Sequence, residues 1–336
     1  MKRMFWILAL LALALPIAVM AQEATPEATP EVEAIELPAV DPLSLSGDII
    51  AAGSSTVYPV AEAMAVRFTD EGFTGNITVD SIGSGAGFER FCSAGETDIS
   101  NASRAIKQSE IDNCAALTPA RTPIQFRIGT DAIAVVVSAE NDFLTDLSLA
   151  QLAQIFSGAV TTWDQVDPSY PAQPIQLFSP GSDSGTFTYF AESVLVPEAG
   201  GNLGDADTAE AALLNAPGIQ LSEDDNVLVQ GVEGSPYAIG YFGFAYYKAQ
   251  EDRLNAVSIN GIVPSETTAE DNTYPLSRPL FIYSDAGIMA EKPQVAAFIN
   301  YFLTNANEVV SEVGYFPASV EALNEAKQAW LDAVGQ

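Results

Sequence analysis

With 336 residues, 48% of them hydrophobic and only 17% charged, the chain is long enough for two folded domains of roughly 100–200 residues each. Its net charge of −31, from 44 acidic and 13 basic residues, excludes a nucleic-acid binder, whose affinity rests on clustered Lys and Arg. Histidine is absent, which removes Ser-His-Asp and Cys-His triads, histidine general bases and the usual zinc sites.

The N-terminus reads as an export signal. Met1-Lys2-Arg3 is basic, Phe5 to Met20 is apolar, and Val19-Met20-Ala21 offers a small-x-small cleavage site, so residues 1–21 are expected to be a signal peptide. The apolar run is shorter than the ~20 residues of a spanning helix, and no cysteine follows it to carry a lipid. A periplasmic or other extracytoplasmic location follows. Residues 22–46, with Ala24-Thr25-Pro26-Glu27, form an acidic Pro-rich segment too poor in apolar surface to order itself. It is expected to be an extended linker, with folding starting near Gly47.

From there strands and helices alternate, the pattern of an α/β fold. Asp48 to Ala52 is a short strand, Tyr58 to Phe68 a helix with Val60, Met64 and Phe68 on one face, and Asn76 to Ser81 a strand. Gly87 to Ala94 opens a helix. Ala132 to Val137 is a continuous apolar run, as in a strand buried on both faces. A helix over Leu149 to Phe156, a strand over Pro174 to Phe178, a helix over Thr186 to Val194 and a Gly-interrupted strand over Ala238 to Ala245 follow. Two helices, Lys292 to Thr304 and Ser319 to Ala333, end the chain. Cys92 and Cys114 are its only cysteines. In an exported protein they suggest one disulfide, closing a loop of about 23 residues worth roughly 3 kcal/mol in the chain-entropy model. Two separate buried thiols are the alternative.

Three times a strand ends in a loop of Gly, Ser and Thr that leads straight into an amphipathic helix. The first is Gly53-Ser54-Ser55-Thr56 before Val57-Tyr58-Pro59, with Pro59 suited to a first helical turn. The second is Gly83-Ser84-Gly85-Ala86-Gly87 before Phe88, and the third is Gly181-Ser182-Asp183-Ser184-Gly185-Thr186 before Phe187. A helix start carries about half a positive charge and several unpaired N–H donors. Any one such loop usually means only a cap. Three aimed at one point would hold a tetrahedral oxyanion without bulk positive charge. One cation, Arg104, follows the alternating stretch Asp98 to Ser103, and a guanidinium grips two oxyanion oxygens at once; the plainer role is a surface ion pair. No nucleoside-triphosphate loop, dinucleotide fingerprint or nucleophile elbow is present.

The ordered set Ala52 to Pro59, Gly83 to Phe88, Asp98 to Ile106, Gly181 to Phe190, Asp225 to Val232 and Ile239 to Gly243 resembles the PstS-type periplasmic phosphate-binding proteins, over nearly everything after residue 47. The resemblance implies a type II-like periplasmic binding protein with two α/β lobes, each a mixed sheet flanked by helices. One lobe would be 47–133 plus 247–336 and the other 134–246, with hinge crossings at Asp131 to Ala134 and Ala238 to Tyr241. It implies phosphate ligands at Ser55, Thr56 and Ser84 on one lobe and at Ser184, Gly185 and Thr186 on the other. Some members place an arginine just before the third loop, where this chain has Ser179-Pro180; Ser103-Arg104 is then expected to supply the charge. Several members also use an aspartate near the position of Arg104. This chain has none there, and Asp131 is the expected substitute, accepting the proton of hydrogen phosphate. The implied protein is a monomeric, cofactor-free binder that delivers phosphate to the membrane permease of an ABC importer. Other readings are a receptor for sulfate or molybdate, or an exported phosphoesterase.

Overall fold

A computed structural model describes residues 33–182, 184–196 and 203–336. The expected signal peptide and residues 22–32 of the expected linker lie outside them.

Strand β1 (Ile49–Gly53) leads to helix α1 (Tyr58–Asp70), then β2 (Ile77–Ser81), α2 (Ser84–Phe88) with a π-helical turn over Glu89–Ala94, β3 (Ile99–Ala102) and α3 (Gln108–Ala116). The next strand, β4 (Ile124–Ser138), is the longest among the described residues at 15 residues. After it come β5 (Asp146–Leu147), α4 (Leu149–Phe156), α5 (Trp163–Val166), β6 (Gln176–Pro180) and α6 (Gly185–Phe190), which runs on as a π-helical turn over Ala191–Leu195. The chain continues through α7 (Ala206–Leu214), β7 (Gln220–Ser222), α8 (Asp225–Glu233), β8 (Ala238–Gly243), α9 (Phe244–Lys248), β9 (Leu254–Ala256), β10 (Ser258–Ile259) and α10 (Glu266–Glu270). It ends with β11 (Ser277–Ser284), α11 (Ala286–Glu291), α12 (Pro293–Val313), β12 (Phe316–Pro317) and α13 (Val320–Val334).

The strands join in the order β2-β1-β3-β11-β4-β8-β6-β7, with β9 and β12 attached to β4. β4 belongs to two sheets. Its first half, Ile124 to Ala132, pairs antiparallel with β11, and its second half, Ile133 to Val137, pairs antiparallel with β8. The period-2 alternation of a strand sorts its side chains to two faces. Ile133, Val135 and Val137 enter a core with Trp163, Phe190 and Tyr241, while Ala132, Ala134 and Val136 enter one with Phe178, Leu228 and Phe242. On β11, Leu280 and Ile282 face the core of α1, α12 and α13, whereas Phe281 and Tyr283 face Phe88, Phe91 and the cysteines. Each half of the sheet is thus covered on both faces, giving the expected two-lobed, mixed-sheet α/β architecture.

Two expectations are corrected. The second crossing does not fall at Ala238 to Tyr241, because β8 lies wholly alongside the second half of β4. Residues from 247 do not return at once to the first sheet either. β9 pairs with Val136 to Ser138, and Val257, Ile259, Tyr274 and Leu276 fill the second core. Their apolar side chains find cover there, and the chain rejoins the first sheet only at Ser277.

The expected linker is also not free from residue 33 on. Ile35 donates its N–H to Asn324 Oδ1 at 2.7 Å, Asn324 Nδ2 donates to the Glu33 carbonyl at 2.8 Å, Lys327 Nζ to the Ile35 carbonyl at 2.8 Å and Asn300 Nδ2 to the Pro38 carbonyl at 3.0 Å. Leu37, Val40 and Leu45 pack on the first core. The segment is extended, as its composition requires, but it is a strap across α12 and α13, whose side chains satisfy backbone groups that a linker leaves to water.

Candidate functional site

The first loop turns at Gly53, whose φ of +146° and position make any side chain impossible: a Cβ there would lie 2.0 Å from the Asn101 carbonyl oxygen. That close approach lets Ser54 N–H bond the same carbonyl at 2.9 Å, and Ser54 Oγ then accepts from Thr56 N–H at 3.2 Å. Ser54 and Thr56 are buried. The second loop rests on the first. A Cβ on Gly87 would lie 2.6 Å from Gly53 Cα, and the N–H groups of Ile82 and Gly83 both donate to the Gly53 carbonyl, at 2.9 and 2.8 Å. Ser84 Oγ accepts from Ser103 N–H at 3.1 Å and lies 3.2 Å from Ser103 Oγ, so the second loop also holds the segment after β3. In the third loop Ser184 Oγ accepts from Thr186 N–H at 3.2 Å, capping α6. A Cβ on Gly185 would lie 3.5 Å from the Ser55 backbone and from Thr56 Cα, which puts the third loop against the first. The three glycine-serine loops therefore meet in one place.

At that place lies a residue the sequence reading missed. Arg278 on β11 is 8% exposed and reaches five partners. Its Nε donates to Asp131 Oδ2 at 3.2 Å, Nη1 to Ser103 Oγ at 3.5 Å, and Nη2 to Thr56 Oγ1 and to the Gly185 carbonyl, the latter at 3.4 Å. Its guanidinium carbon sits 3.5 Å from the centroid of the Tyr189 ring, a stacked cation–π contact. The antiparallel register places Asp131 directly opposite Arg278. The available signal was a lone cation inside the apolar run Leu276 to Tyr283, a residue type that folds into a core only with partners.

The remaining expected residues divide. Ser55, Ser84, Ser103 and Arg104 line a cleft of about 670 Å³ with Arg278, faced by Tyr189 and Glu192. Thr56 and Gly185 reach Arg278 beneath it rather than lining it, and Ser184 and Thr186 flank Gly185. Asp131 does not line the cleft. It is 1% exposed behind Arg278, and its Oδ1 has no hydrogen-bond partner among the described residues. Burial raises its proton affinity, and the Arg278 guanidinium works against that. Arg104 is committed as well: both its terminal nitrogens bond Glu110, at 2.9 and 2.7 Å, and the guanidinium lies 5.2 Å from the Phe88 centroid. Burial of Glu110 would raise its pKa, but the bonds from Arg104 and from the Lys107 backbone hold it below the ordinary value. Cys92 and Cys114 form the expected disulfide, closing the loop that carries Ser103 and Arg104.

Residues 24–306 match the family model of the PBP superfamily domain. The chain belongs to that superfamily. Within it the chain is 41% identical to SphX of Synechocystis sp. over 86% of this chain and 84% of that protein. It is 34% identical to the phosphate-binding protein PstS of Staphylococcus haemolyticus, over 81% of each. Among solved structures, a possible phosphate binding protein from Planctomyces limnophilus is 33% identical, with a TM-score of 0.77 over 86% of this chain and 99% of that one. Arg278 stands on β11, the strand by which the chain rejoins the first sheet.

Proposed function

We propose that this protein captures inorganic phosphate outside the cytoplasm and delivers it to the membrane permease of an ABC importer. One observation carries the reading: loops that precede helices gather around one buried guanidinium, the first and third bonding it directly and the second through Ser103. Helix starts and hydroxyls supply oriented donors, and Arg278 supplies charge in a place screened from the acidic surface. Ser55, Ser84 and Ser103 are the proposed donors in the cleft, with Arg278 at its floor and Arg104 at its side, and Thr56 and Ser184–Thr186 are proposed to join them from beneath as the lobes close. The site is built to hold an anion, and a binding role needs no nucleophile.

The lobes in this reading meet at β4. The first comprises β1, β2, β3, β11 and their helices, and the second comprises β6, β7, β8 and the elements through Leu276. Crossings at Asp131 to Ala134 and near Tyr274 to Ser277 form the hinge, so an anion bonded by loops of both lobes favours closure. Export through residues 1–21, delivery to a permease and action as a monomer complete the proposal. Titration calorimetry of the purified protein tests it: phosphate is expected to bind one site at micromolar or tighter affinity, about 8 kcal/mol or more. Equal affinity for sulfate would leave an oxyanion receptor and remove the phosphate assignment.

A further inference from the structure

Arg278 carries five N–H bonds, one on Nε and two on each terminal nitrogen. Nε bonds Asp131 Oδ2, and Nη2 has two acceptors, Thr56 Oγ1 and the Gly185 carbonyl. Nη1 has one acceptor among the described residues, Ser103 Oγ at 3.5 Å, longer than an ordinary N–H···O bond. Donor capacity is therefore left on Nη1, the nitrogen nearest Ser103 and Ser84, which line the cleft. These bonds fix the guanidinium within its own plane. What holds the plane itself is Tyr189, 5% exposed, with its ring centroid 3.5 Å from the guanidinium carbon. Gly185 and Tyr189 stand at i and i+4 on α6 and so share one face of that helix. One short helix of the second lobe thus meets both the edge and the face of a cation that belongs to the first. That helix is braced in turn, by its Ser184 cap and by Phe190, whose ring stacks on Tyr241 at 3.7 Å.

We propose that Tyr189 is a positioning residue for anion binding, its ring holding the Arg278 guanidinium edge-on to the cleft so that Nη1 meets the anion beside Ser103. The proposal rests on the phosphate reading above and adds a residue from outside the loops. A guanidinium is weakly hydrated, stacks by its faces and donates from its edge. Covering one face with an aromatic ring leaves the edge for the anion, and a cation already oriented loses less freedom when the anion arrives. The ring face does this, and the hydroxyl takes no part. An aliphatic side chain would still fill the second core, where Tyr189 also packs, but would present no π face to the cation.

The test is phosphate calorimetry of the wild type, Tyr189→Leu and Tyr189→Phe, with melting temperatures recorded beside it. Tyr189→Leu is expected to bind about tenfold more weakly, and Tyr189→Phe, which restores the ring, to recover most of that loss. In an Arg278→Gln background the Tyr189→Leu change is expected to alter affinity by less than about twofold, because no guanidinium is left to position. If Arg278→Gln leaves no measurable binding, the contrast between phenylalanine and leucine decides alone. Should Tyr189→Leu melt too low for calorimetry, Tyr189→Met takes its place in both comparisons. Equal losses in the two backgrounds would mean packing alone and would overturn the proposal. So would a phenylalanine variant as weak as the leucine one, which would assign the effect to the hydroxyl, or a leucine variant that binds as the wild type does. Those three results leave phosphate binding by the wild type standing; a wild type that binds no phosphate removes the phosphate reading and this proposal together.

Discussion

Two arginines near the cleft differ in what surrounds them, and the difference decides which should matter. Arg278 is 8% exposed and held from five directions, while Arg104 shares both terminal nitrogens with Glu110 and has a side chain 32% exposed. A desolvated guanidinium interacts strongly with an incoming anion, whereas a partly solvated, paired one contributes little. Arg278→Gln is therefore expected to weaken phosphate binding by at least about 2 kcal/mol, near 30-fold. Arg104→Ala is expected to cost under about 1 kcal/mol; calorimetry of the two variants side by side gives the ranking, and the reverse order would move the site towards Arg104. Arg104 was visible in the sequence because it follows a recognisable alternation after the second loop. Arg278 was not, because it enters from β11, far along the chain, and only the β3-β11-β4 pairing brings it to the loops. Asp131 lies beside Arg278, but its orientation depends on the register that sets it opposite Arg278, which no local pattern encodes.

Among the elements, the loops were the most legible part because their residue types follow local backbone needs. Gly53→Ala tests this most sharply, since the new Cβ would strike the Asn101 carbonyl in a conformation with φ of +146°. The variant should lose several degrees of melting temperature and most of its phosphate affinity, because Ser54 and Thr56 are positioned by that turn. The third loop has a different neighbour. Glu223 packs over Gly181, and the adjacent Asp225, at the start of α8, has its pKa pushed up to about 6 by burial and by Asp224 and Glu223. An unfolded aspartate titrates near 3.9. A raised folded value means the native state holds its proton more tightly, so this stability is fully present below about pH 4 and is lost as pH rises through about 6. Asp225→Asn is then expected to melt higher than the wild type at about pH 7.5, with the gap closing at about pH 4. A gap that widens on acidification would reverse the sign. Buried runs such as Ala132 to Val137 announce themselves in the sequence; β11 and the extension of β4 back to Ile124 do not, because those stretches are read only through their partners.

At the scale of the whole molecule, β4 is the shared member of both sheets, so the lobes are tied by a continuous hydrogen-bonded strand and by the return near Tyr274 to Ser277. Closure on phosphate should appear in solution scattering as a smaller radius of gyration, absent with Arg278→Gln at the same phosphate concentration. The N-terminal strap makes a separate prediction. Deleting residues 33–45 should lower stability by at least about 2 kcal/mol, from lost apolar cover at Leu37, Val40 and Leu45 and unpaired groups on Asn324 and Lys327. Composition gave no hint of this, because Glu, Pro and Ala say only that the segment will be extended and not that two helices offer amides to grip it.

The strap also decides where a mechanical pull on the N-terminal end would be felt. Asn324, Lys327 and Asn300 grasp the backbone at Glu33, Ile35 and Pro38, well ahead of the first strand. Tension arriving from that end is shared among these grips and passed into α12 and α13 before it can tug on Gly53 and the loop behind it. The loops of the candidate site are thereby shielded from load on the chain ahead of residue 33.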